Sequence, residues 1–365
     1  MRIIKKSRVL INIATELAKS KFFDKAIALI QDIENSDKPE TLATIVTELA
    51  KNKFFDKAII LAQNIFAKNS LYKSKALIII VTELAKSKLF DKATMLAQNI
   101  RCNYYKSKAL VIIATELNKN NFFDKAQKYF DKALACAKNI EDFRKSEALI
   151  MITTKLAKNK FFDKALTAAQ NIRDHEKRDT LALIAIELAK NKSFNKAIEL
   201  TQNIRSSFWE SETLVTIATE LANNKFFDKA QKYFDEALAI ADTFNEDYMM
   251  AKSQILPIII KLAKYKFFDK AILSAQDILE NYRKSSTLAK VAIELVKHDN
   301  GFKIFNKIQQ IYLYLKDQER ERFLEFISHY IEKAPFKTKD YPYKIYQAIQ
   351  EAEKYVYKET SSILP

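Results

Sequence analysis

The sequence predicts an all-α protein: a right-handed α-solenoid of about nine helix-turn-helix repeats with a C-terminal helical cap. The first sign is a five-residue phrase, FFDKA, that returns along the chain at intervals of 32 to 41 residues. The second is composition. There is 1 glycine in 365 residues, where ordinary usage would give roughly 25. Hairpins, bulges and phosphate-binding loops all need glycine, so a sheet protein and a nucleotide-binding loop are both disfavoured.

The phrase recurs often enough to define the repeats. Complete copies begin at Phe22, Phe54, Phe122, Phe161, Phe226 and Phe267, variants begin at Leu89 and Ser193, and a faint ninth copy reads IFNKI at 304–308. A regular period in this range is typical of stacked helical units. The predicted repeat domain is 1–297 and the cap is 317–365. The units lie near 7–36, 39–68, 73–103, 106–142, 145–175, 178–206, 211–246, 251–282 and 285–316.

Each unit reads as two helices, and the phrase lies at their junction. Apolar residues recur at helical spacing in the first helix of the third unit, at Leu77, Ile80, Val81, Leu84 and Ala85. The second helix of that unit has the same pattern at Ala93, Leu96, Ala97 and Ile100. The aspartate of the phrase is expected in the first turn of the second helix, close to unpaired N–H groups. The Phe pair is expected to close the turn and to pack between the helices.

Two units are longer than the others, because both extend the phrase to FFDKAQKYFD, at 122–131 and 226–235. Their second helices are expected to gain about two turns. Asp56 to Asp163 spans 107 residues and Asp163 to Asp269 spans 106. The spacing therefore indicates a block of three units, short, short and long, that is used twice.

The pattern is lost after about Lys297, where amphipathic, tyrosine-rich segments follow. Terminal units of solenoids are atypical because they cover an exposed core, so a cap is predicted. The alternative is a small functional module that stacks bases or a peptide. Its candidate residues are Tyr312, Tyr314, Tyr341, Tyr343 and Tyr346.

The formal net charge is +16, which favours anionic partners: nucleic acid, an acidic protein or an anionic membrane surface. The alternative interpretation is that the lysine-rich composition reflects genome composition and that solvated lysines simply cover the helices. Two isolated cysteines, Cys102 and Cys136, make no disulfide framework, so a reducing, cytoplasmic location is expected. The basic N-terminus is interrupted by polar residues and is expected to be the first repeat helix rather than a targeting segment. No membrane span is expected.

The long units resemble the tetratricopeptide repeat family. Matching residues are Phe123, Asp124, Ala126, Phe130 and Ala133, and likewise Phe227, Asp228, Ala230, Phe234 and Ala237. The resemblance covers about residues 7–281. It departs from the family at the turn, where the expected glycine is replaced by Lys21, Lys53, Lys88, Lys160 and Lys192, and the terminal proline is missing.

This resemblance implies that the wall made by the first helices holds a peptide or a partner surface. The matching wall positions combine threonine, asparagine and lysine, and they predict a basic, hydrogen-bonding groove for an acidic protein or peptide. They are Thr15, Lys19, Thr47, Lys51, Thr82, Lys86, Thr115, Asn118, Lys119, Thr154, Lys158, Lys190, Thr219, Asn223 and Lys264. The alternative is that these threonines are small contact residues and these lysines are solvated helix ends.

Other functions compete with this one. Non-specific RNA binding through the lysine rows stays open, as does a regulatory array that senses a short peptide. A base-reading code is disfavoured, because five of eight positions that would read bases are apolar: Ile79, Ile112, Met151, Leu183 and Pro257. The three histidines are scattered and no nucleophile–base pair stands near a glycine turn, so a non-enzymatic protein without metal or cofactor is predicted. The repeated Glu of the TEL segment is expected to be a polar-face residue or to pair with a lysine of the adjacent unit. The sequence sets no oligomeric state.

Overall fold

The computed structural model describes residues 2–33, 38–65, 70–141, 143–204, 206–243, 248–278, 280–298, 302–333 and 341–361. The described residues are helices joined by short turns, which confirms the predicted all-α, tetratricopeptide-like repeat architecture. The chain divides into two compact units, unit 1 (Met1–Glu187) and unit 2 (Leu188–Pro365). The predicted boundary between repeats and cap, at 297–317, stays a prediction.

Unit 1 consists of helix pairs in chain order. Its first helices are α1 (Arg2–Lys19), α3 (Lys38–Lys51), α5 (Ser70–Lys86), α7 (Asn103–Lys119) and α9 (Arg144–Lys158). Its second helices are α2 (Phe23–Leu29), followed by a short 3-10 turn (Ile30–Asp32), α4 (Phe55–Ile65), α6 (Phe90–Gln98), α8 (Phe123–Lys138) and α10 (Phe162–Ala169). Helix α11 (Asp174–Lys190) contains the boundary between the two units.

Unit 2 continues the pattern. Its helices are α12 (Phe194–Gln202), α13 (Ser207–Asn223), α14 (Phe227–Asp242), α15 (Tyr248–Lys264), α16 (Phe268–Gln276), α17 (Asn281–His298), α18 (Phe302–Tyr314), α19 (Asp317–Lys333) and α20 (Tyr341–Ser361). The long second helices α8 and α14 have 16 residues each, against 9 in α6 and 8 in α10. The predicted gain of about two turns is therefore confirmed.

The core follows the periodicity of the sequence. The apolar positions predicted for the third unit are buried in α5 and α6 and at Ile100, and the alanine of every phrase is fully buried. These alanines are Ala26, Ala58, Ala93, Ala126, Ala165, Ala197, Ala230 and Ala271. A side chain no larger than a methyl group lets the paired helices approach closely, which explains why the phrase keeps alanine at this position.

The eight described turns that precede the phrase use a left-handed residue where the family that the long units resemble has glycine. Lys21, for example, has φ 66°. Its amide donates to the Ala18 carbonyl at 3.0 Å and the Phe22 amide donates to the Leu17 carbonyl at 2.8 Å. This is the Schellman arrangement that ends many helices. The equivalent left-handed residues are Lys53, Lys88, Asn121, Lys160, Lys192, Lys225 and Lys266.

The predicted packing of both Phe rings between the helices is wrong for the first ring in the first two repeats and for both rings in the long repeats, where Phe122 and Phe123 are about half exposed. In the first repeat, Phe22 is 55% exposed whereas Phe23 is 5% exposed. The Phe23 ring meets Phe54 of the next repeat edge-on, with centroids 5.3 Å apart. Similar contacts join Phe90 to Phe122, Phe130 to Phe161 and Phe194 to Phe226. The pair therefore connects one repeat to the next.

The Asp–Lys step of the phrase also connects neighbouring repeats. The aspartate lies in the first turn of the second helix, as predicted. Its carboxylate faces the lysine of the following repeat: Lys57 Nζ lies 3.1 Å from Asp24 and Lys92 Nζ lies 3.6 Å from Asp56. Lys307 contacts Asp269 in the same way, whereas Lys164 and Lys270 contact Asp131 and Asp235, the last residues of the extended phrase in the two long repeats.

Within unit 2, the two C-terminal helices pack on the two helices before them, α19 against α17 and α20 against α18. Glu319 is nearly buried, and its carboxylate lies 3.4 Å from Lys284 Nζ while its backbone carbonyl accepts from the Ser285 hydroxyl. Tyr312 is buried and donates to Glu353 at 3.0 Å, so it offers no stacking surface. Tyr314, Tyr343 and Tyr346 are exposed, and the Tyr341 side chain lies outside the described residues.

Candidate functional site

The predicted partner-binding residues lie near the C-terminal ends of the first helices, on what we call the first-helix face. Neighbouring first helices pack side by side, from α1 through α3, α5 and α7 to α9. The equivalent positions of successive repeats therefore form rows across unit 1. Four of the predicted lysines and four of the predicted threonines have side-chain contacts that define the chemistry of these rows.

The lysines of the first four repeats are paired within their own helices. Lys51 Nζ lies 2.8 Å from Glu48, and the same i to i+3 pair joins Lys19 to Glu16, Lys86 to Glu83 and Lys119 to Glu116. The expectation that the repeated glutamate pairs with a lysine of the adjacent unit is wrong for these four repeats. The adjacent unit contributes a weaker effect: Glu16 mainly, and Glu48 slightly, raise the pKa of Lys19.

The predicted threonines bond to their own helices. The hydroxyls of Thr47, Thr82, Thr115 and Thr219 donate to backbone carbonyls four residues earlier, at 2.7 to 2.8 Å. A threonine in a helix commonly satisfies its hydroxyl in this way. These four hydroxyl protons are therefore engaged within the protein.

Three first helices depart from the Glu–Lys pattern: α13 has Asn223 at the lysine position, and two others have lysine at the glutamate position. The glutamate position is occupied by Lys155 in α9 and by Lys261 in α15. Both helices directly follow a long second helix, α8 or α14. The neighbouring first helices, α7 with α9 in unit 1 and α13 with α15 in unit 2, form what we call the two long-repeat junctions. The charge pattern therefore changes with the period of the three-unit block.

The junction of α7 and α9 carries an unneutralised pair of cations. Lys155 and Lys158 are exposed, and no carboxylate of the described residues lies within salt-bridge distance of either one. Beside them, the Asn118 amide donates to Asn159 Oδ1 at 3.0 Å and so bridges the two helices. Buried oxygens of Asn118 and Thr154 have no hydrogen-bond partner among the described residues. This junction is both basic and polar.

The other end of the same junction is fixed by a buried tyrosine. The Tyr104 hydroxyl donates to Glu147 of α9 and also lies 2.6 Å from Lys108 Nζ. Burial, followed by the hydrogen bond to Glu147, raises the pKa of Tyr104 well above its usual value. The phenol therefore stays protonated and keeps α7 and α9 in register.

The junction of α13 and α15 contains a pocket of about 260 Å³. Phe208, Val215 and Ile258 form its apolar walls, while Glu212 and Lys261 supply opposite charges. Pro257 also lines it, at the tenth position of α15, so it lies in the helix interior rather than in the first turn. Proline donates no backbone hydrogen bond there. A small apolar space with a lysine at its rim can hold an apolar side chain beside an anionic group.

The lysine of this pocket is electrostatically unusual. Burial lowers the pKa of Lys261, and the nearby Lys264 acts in the same direction. Glu212 and Glu220 oppose this shift. The junction is closed on its far side by Tyr265, whose hydroxyl donates to Asn223 Oδ1 at 2.9 Å. Charging Lys261 therefore costs more than charging an exposed lysine, and an anionic ligand would offset that cost.

The structure brings some of the predicted site residues together and leaves others apart. Asn118 bonds across the junction of α7 and α9, where Thr154 and Lys158 also lie, and Asn223 and Lys264 lie at the junction of α13 and α15. Thr15 is half-buried on α1, and Lys190 is exposed at the end of α11. Sequence reasoning missed Lys155, Lys261 and the Phe208 pocket. The replacement of TEL by TKL and IKL was the signal that identifies the two lysines.

No known protein family matches the sequence, and no curated protein matches it. Similar solved structures include Ton1535 from Thermococcus onnurineus NA1, at 18% identity and TM-score 0.31, with 90% of this chain and 99% of that chain covered. A Rap protein complexed with competence and sporulation factor is 15% identical, with TM-score 0.27 and coverage of 97% and 99%. Yeast Tom70 is 15% identical, with TM-score 0.22 and coverage of 98% and 96%. These similarities are distant, and the fold assignment depends on the chain's own helix pairs.

Proposed function

We propose that this protein is a non-enzymatic scaffold that binds an acidic protein or peptide segment on its first-helix face, at the long-repeat junctions. One observation carries the proposal: the glutamate that neutralises the terminal lysine in four other repeats is replaced by Lys155 and Lys261. A surface of paired charges has little net field. A surface where both positions of the pair are lysine attracts an anion.

The predicted wall lysines differ in how freely they can attract an acidic ligand. Lys19, Lys51, Lys86 and Lys119 already have carboxylate partners, so an acidic ligand must compete with them. Lys155 and Lys158 have none among the described residues, and a ligand carboxylate gains their full attraction. We therefore assign the main electrostatic contribution to the junctions and a minor, orienting contribution to the rest of the row.

The pocket between α13 and α15 supports a segment that is apolar as well as acidic. Its walls suit a buried aliphatic or aromatic side chain, and Lys261 lies where an adjacent carboxylate of the ligand would approach. Apolar anchors give affinity that salt does not remove, whereas phosphate tracking is steeply salt-dependent. The expected ligand is an acidic segment with at least one apolar residue, bound in a reducing, cytoplasmic compartment.

The test uses fluorescence anisotropy with a labelled peptide of alternating glutamate and leucine. The junction variant Lys155→Glu/Lys158→Glu/Lys261→Glu/Lys264→Glu is expected to weaken binding by at least tenfold, on the order of 1 kcal/mol or more, because like charges repel at close range. The matched control is Lys19→Glu/Lys51→Glu/Lys86→Glu/Lys119→Glu, which changes the net charge by the same amount. We expect only a few-fold loss from the control.

Equal losses in the two variants would show that the peptide responds to net charge alone, and the junction site would be abandoned. A parallel titration with labelled oligo(U) RNA at two salt concentrations separates the competing function. If oligo(U) binds tightly, loses affinity steeply with salt and is released by the junction variant, the protein-partner proposal is replaced by RNA binding.

A further inference from the structure

The turns between paired helices form one continuous surface in unit 1, which we call the turn edge. It comprises the left-handed residue and the residue after it at each turn: 21–22, 53–54, 88–89, 121–122 and 160–161. Contacts between successive repeats join these turns. Phe23 meets Phe54, Lys92 reaches Asp56, Phe90 meets Phe122 and Phe130 meets Phe161.

Large apolar side chains project from this edge. Phe22, Phe54 and Phe122 are about half exposed, at 55%, 47% and 47%, and Leu89 is 41% exposed. Phe123, next to Phe122, is 54% exposed. Scattered apolar residues are normal on a protein surface, but a row at equivalent positions of successive repeats marks an interaction surface.

Each aromatic or leucine residue in this row follows a polar residue that is held in a strained backbone conformation. Lys21, Lys53 and Lys88 have φ between 61° and 66°, where glycine is favoured. Within the described part of the chain, no carboxylate lies within salt-bridge distance of these three lysines. Lys57, Lys92 and Lys164 of the Asp–Lys steps, by contrast, are paired with carboxylates. The edge therefore presents apolar groups alternating with unneutralised cations.

We propose that the turn edge of unit 1 docks on an anionic lipid bilayer, with Phe22, Phe54, Leu89 and Phe122 inserted at the headgroup level. Lys21, Lys53 and Lys88 then contact acidic headgroups. Rings and leucines beside lysines are the combination that binds such interfaces, and each lysine near an anionic surface adds about 1 kcal/mol. The turn edge shares no residue with the two long-repeat junctions, so this proposal goes beyond the proposed partner binding.

Two features favour a bilayer over single-stranded nucleic acid. Base stacking needs free aromatic faces, but Lys25 Nζ lies 5.4 Å above the Phe22 ring and Lys125 Nζ lies 5.7 Å above Phe122. The third turn has Leu89, which cannot stack on a base but can enter an apolar phase. Insertion requires apolar surface rather than a free ring face.

The test is flotation of the full chain with vesicles of phosphatidylcholine, with and without about one third phosphatidylserine. We expect binding only to the anionic vesicles, and weaker binding at high salt. The variant Lys21→Gly/Lys53→Gly/Lys88→Gly removes three charges while relieving backbone strain. It is expected to lose on the order of 100-fold in partitioning, since each lysine contributes several-fold.

A second variant tests the apolar contribution. Phe22→Ser/Phe54→Ser/Phe122→Ser is expected to lose at least tenfold in partitioning. The matched control, Ile60→Ser/Met95→Ser/Leu273→Ser, removes three exposed apolar residues from the middle of second helices and is expected to bind like the parent. Circular dichroism verifies that all variants are folded.

Three outcomes would overturn the proposal. The first is equal binding to neutral and anionic vesicles. The second is unchanged partitioning of the glycine variant, because a folded variant that keeps its vesicle binding shows that the three lysines do not contact the headgroups. The third is a serine variant that releases oligo(U) RNA but keeps vesicle binding, which would assign the edge to nucleic acid. Failure here leaves the junction proposal intact, because the acidic-peptide titration involves none of these residues.

Discussion

The first-helix face and the turn edge are both rich in lysine, yet they differ in how the charge is neutralised. On the first-helix face, Lys51 and Lys86 lie within 2.8 Å of glutamates in their own helices. On the turn edge, Lys53 and Lys88 occupy left-handed turns beside exposed apolar side chains. The two pairs of lysines are only two residues apart in the sequence.

This comparison shows that a net charge of +16 does not locate a function. Exposed ion pairs contribute little to stability and leave little field behind. We propose that the functional charge lies at the turn edge and at the two junctions where lysine replaces the paired glutamate. Neutralisation, rather than the number of lysines, separates the surfaces.

The largest expected effect contrasts the two rings of one phrase. Phe55 is 8% exposed and Phe54 is 47% exposed. Phe55→Ala is expected to lower the free energy of unfolding by about 3 kcal/mol, because it leaves a cavity in the core. Phe54→Ala loses only part of a ring contact, and its cost is expected to be below about 1 kcal/mol. Urea denaturation followed by circular dichroism measures both, and equal costs would show that the two rings do not divide their roles.

A smaller effect of opposite sign separates two neighbouring lysines. Lys88→Gly relieves a left-handed lysine and is expected to stabilise the protein by about 1 kcal/mol. Lys86 is the last residue of α5, and Lys86→Gly is expected to lower the free energy of unfolding by about 1 kcal/mol. The same denaturation experiment compares them. Destabilisation by both substitutions would refute the strained-turn interpretation.

The smallest effect concerns pH at the junction of α13 and α15. The folded-state pKa of Lys261 is lowered, so between that pKa and the ordinary value of 10.5 the unfolded chain binds more protons at this lysine. Its contribution to stability therefore rises with pH across that alkaline window. Lys261→Met is expected to remove this rise, and the difference between the melting curves of parent and variant measures it. Lys264→Met removes a cation that also lowers this pKa, so it is expected to shrink the rise without abolishing it.

The sequence was sufficient for the helix pairs, because period, apolar spacing and the small alanine all depend on local patterns. The long helices α8 and α14 were predictable for the same reason. The pairing of Lys57 with Asp24 was not, since it depends on how one repeat is placed against the next. Sequence spacing within a helix carries no information on that placement.

The Glu–Lys pairs of the first-helix face were within reach of the sequence. Residues three apart on a helix are neighbours, and Glu48 precedes Lys51 by three positions. The prediction looked instead to the adjacent unit. The family resemblance placed Lys21, Lys53 and Lys88 at the turn position of a glycine, but it did not predict that they keep the left-handed conformation, which is uncommon for other residues. The pocket at Phe208 depends on packing between α13 and α15, which no single-helix pattern reports.

The most direct test of the account measures two variants against two probes. The junction variant with glutamate at 155, 158, 261 and 264, and the edge variant with glycine at 21, 53 and 88, are each titrated with the glutamate–leucine peptide and with anionic vesicles. The account predicts a separation: the junction variant loses the peptide and keeps the vesicles, and the edge variant does the reverse. Parallel loss of both probes by both variants would contradict it, because the protein would then respond only to its total charge.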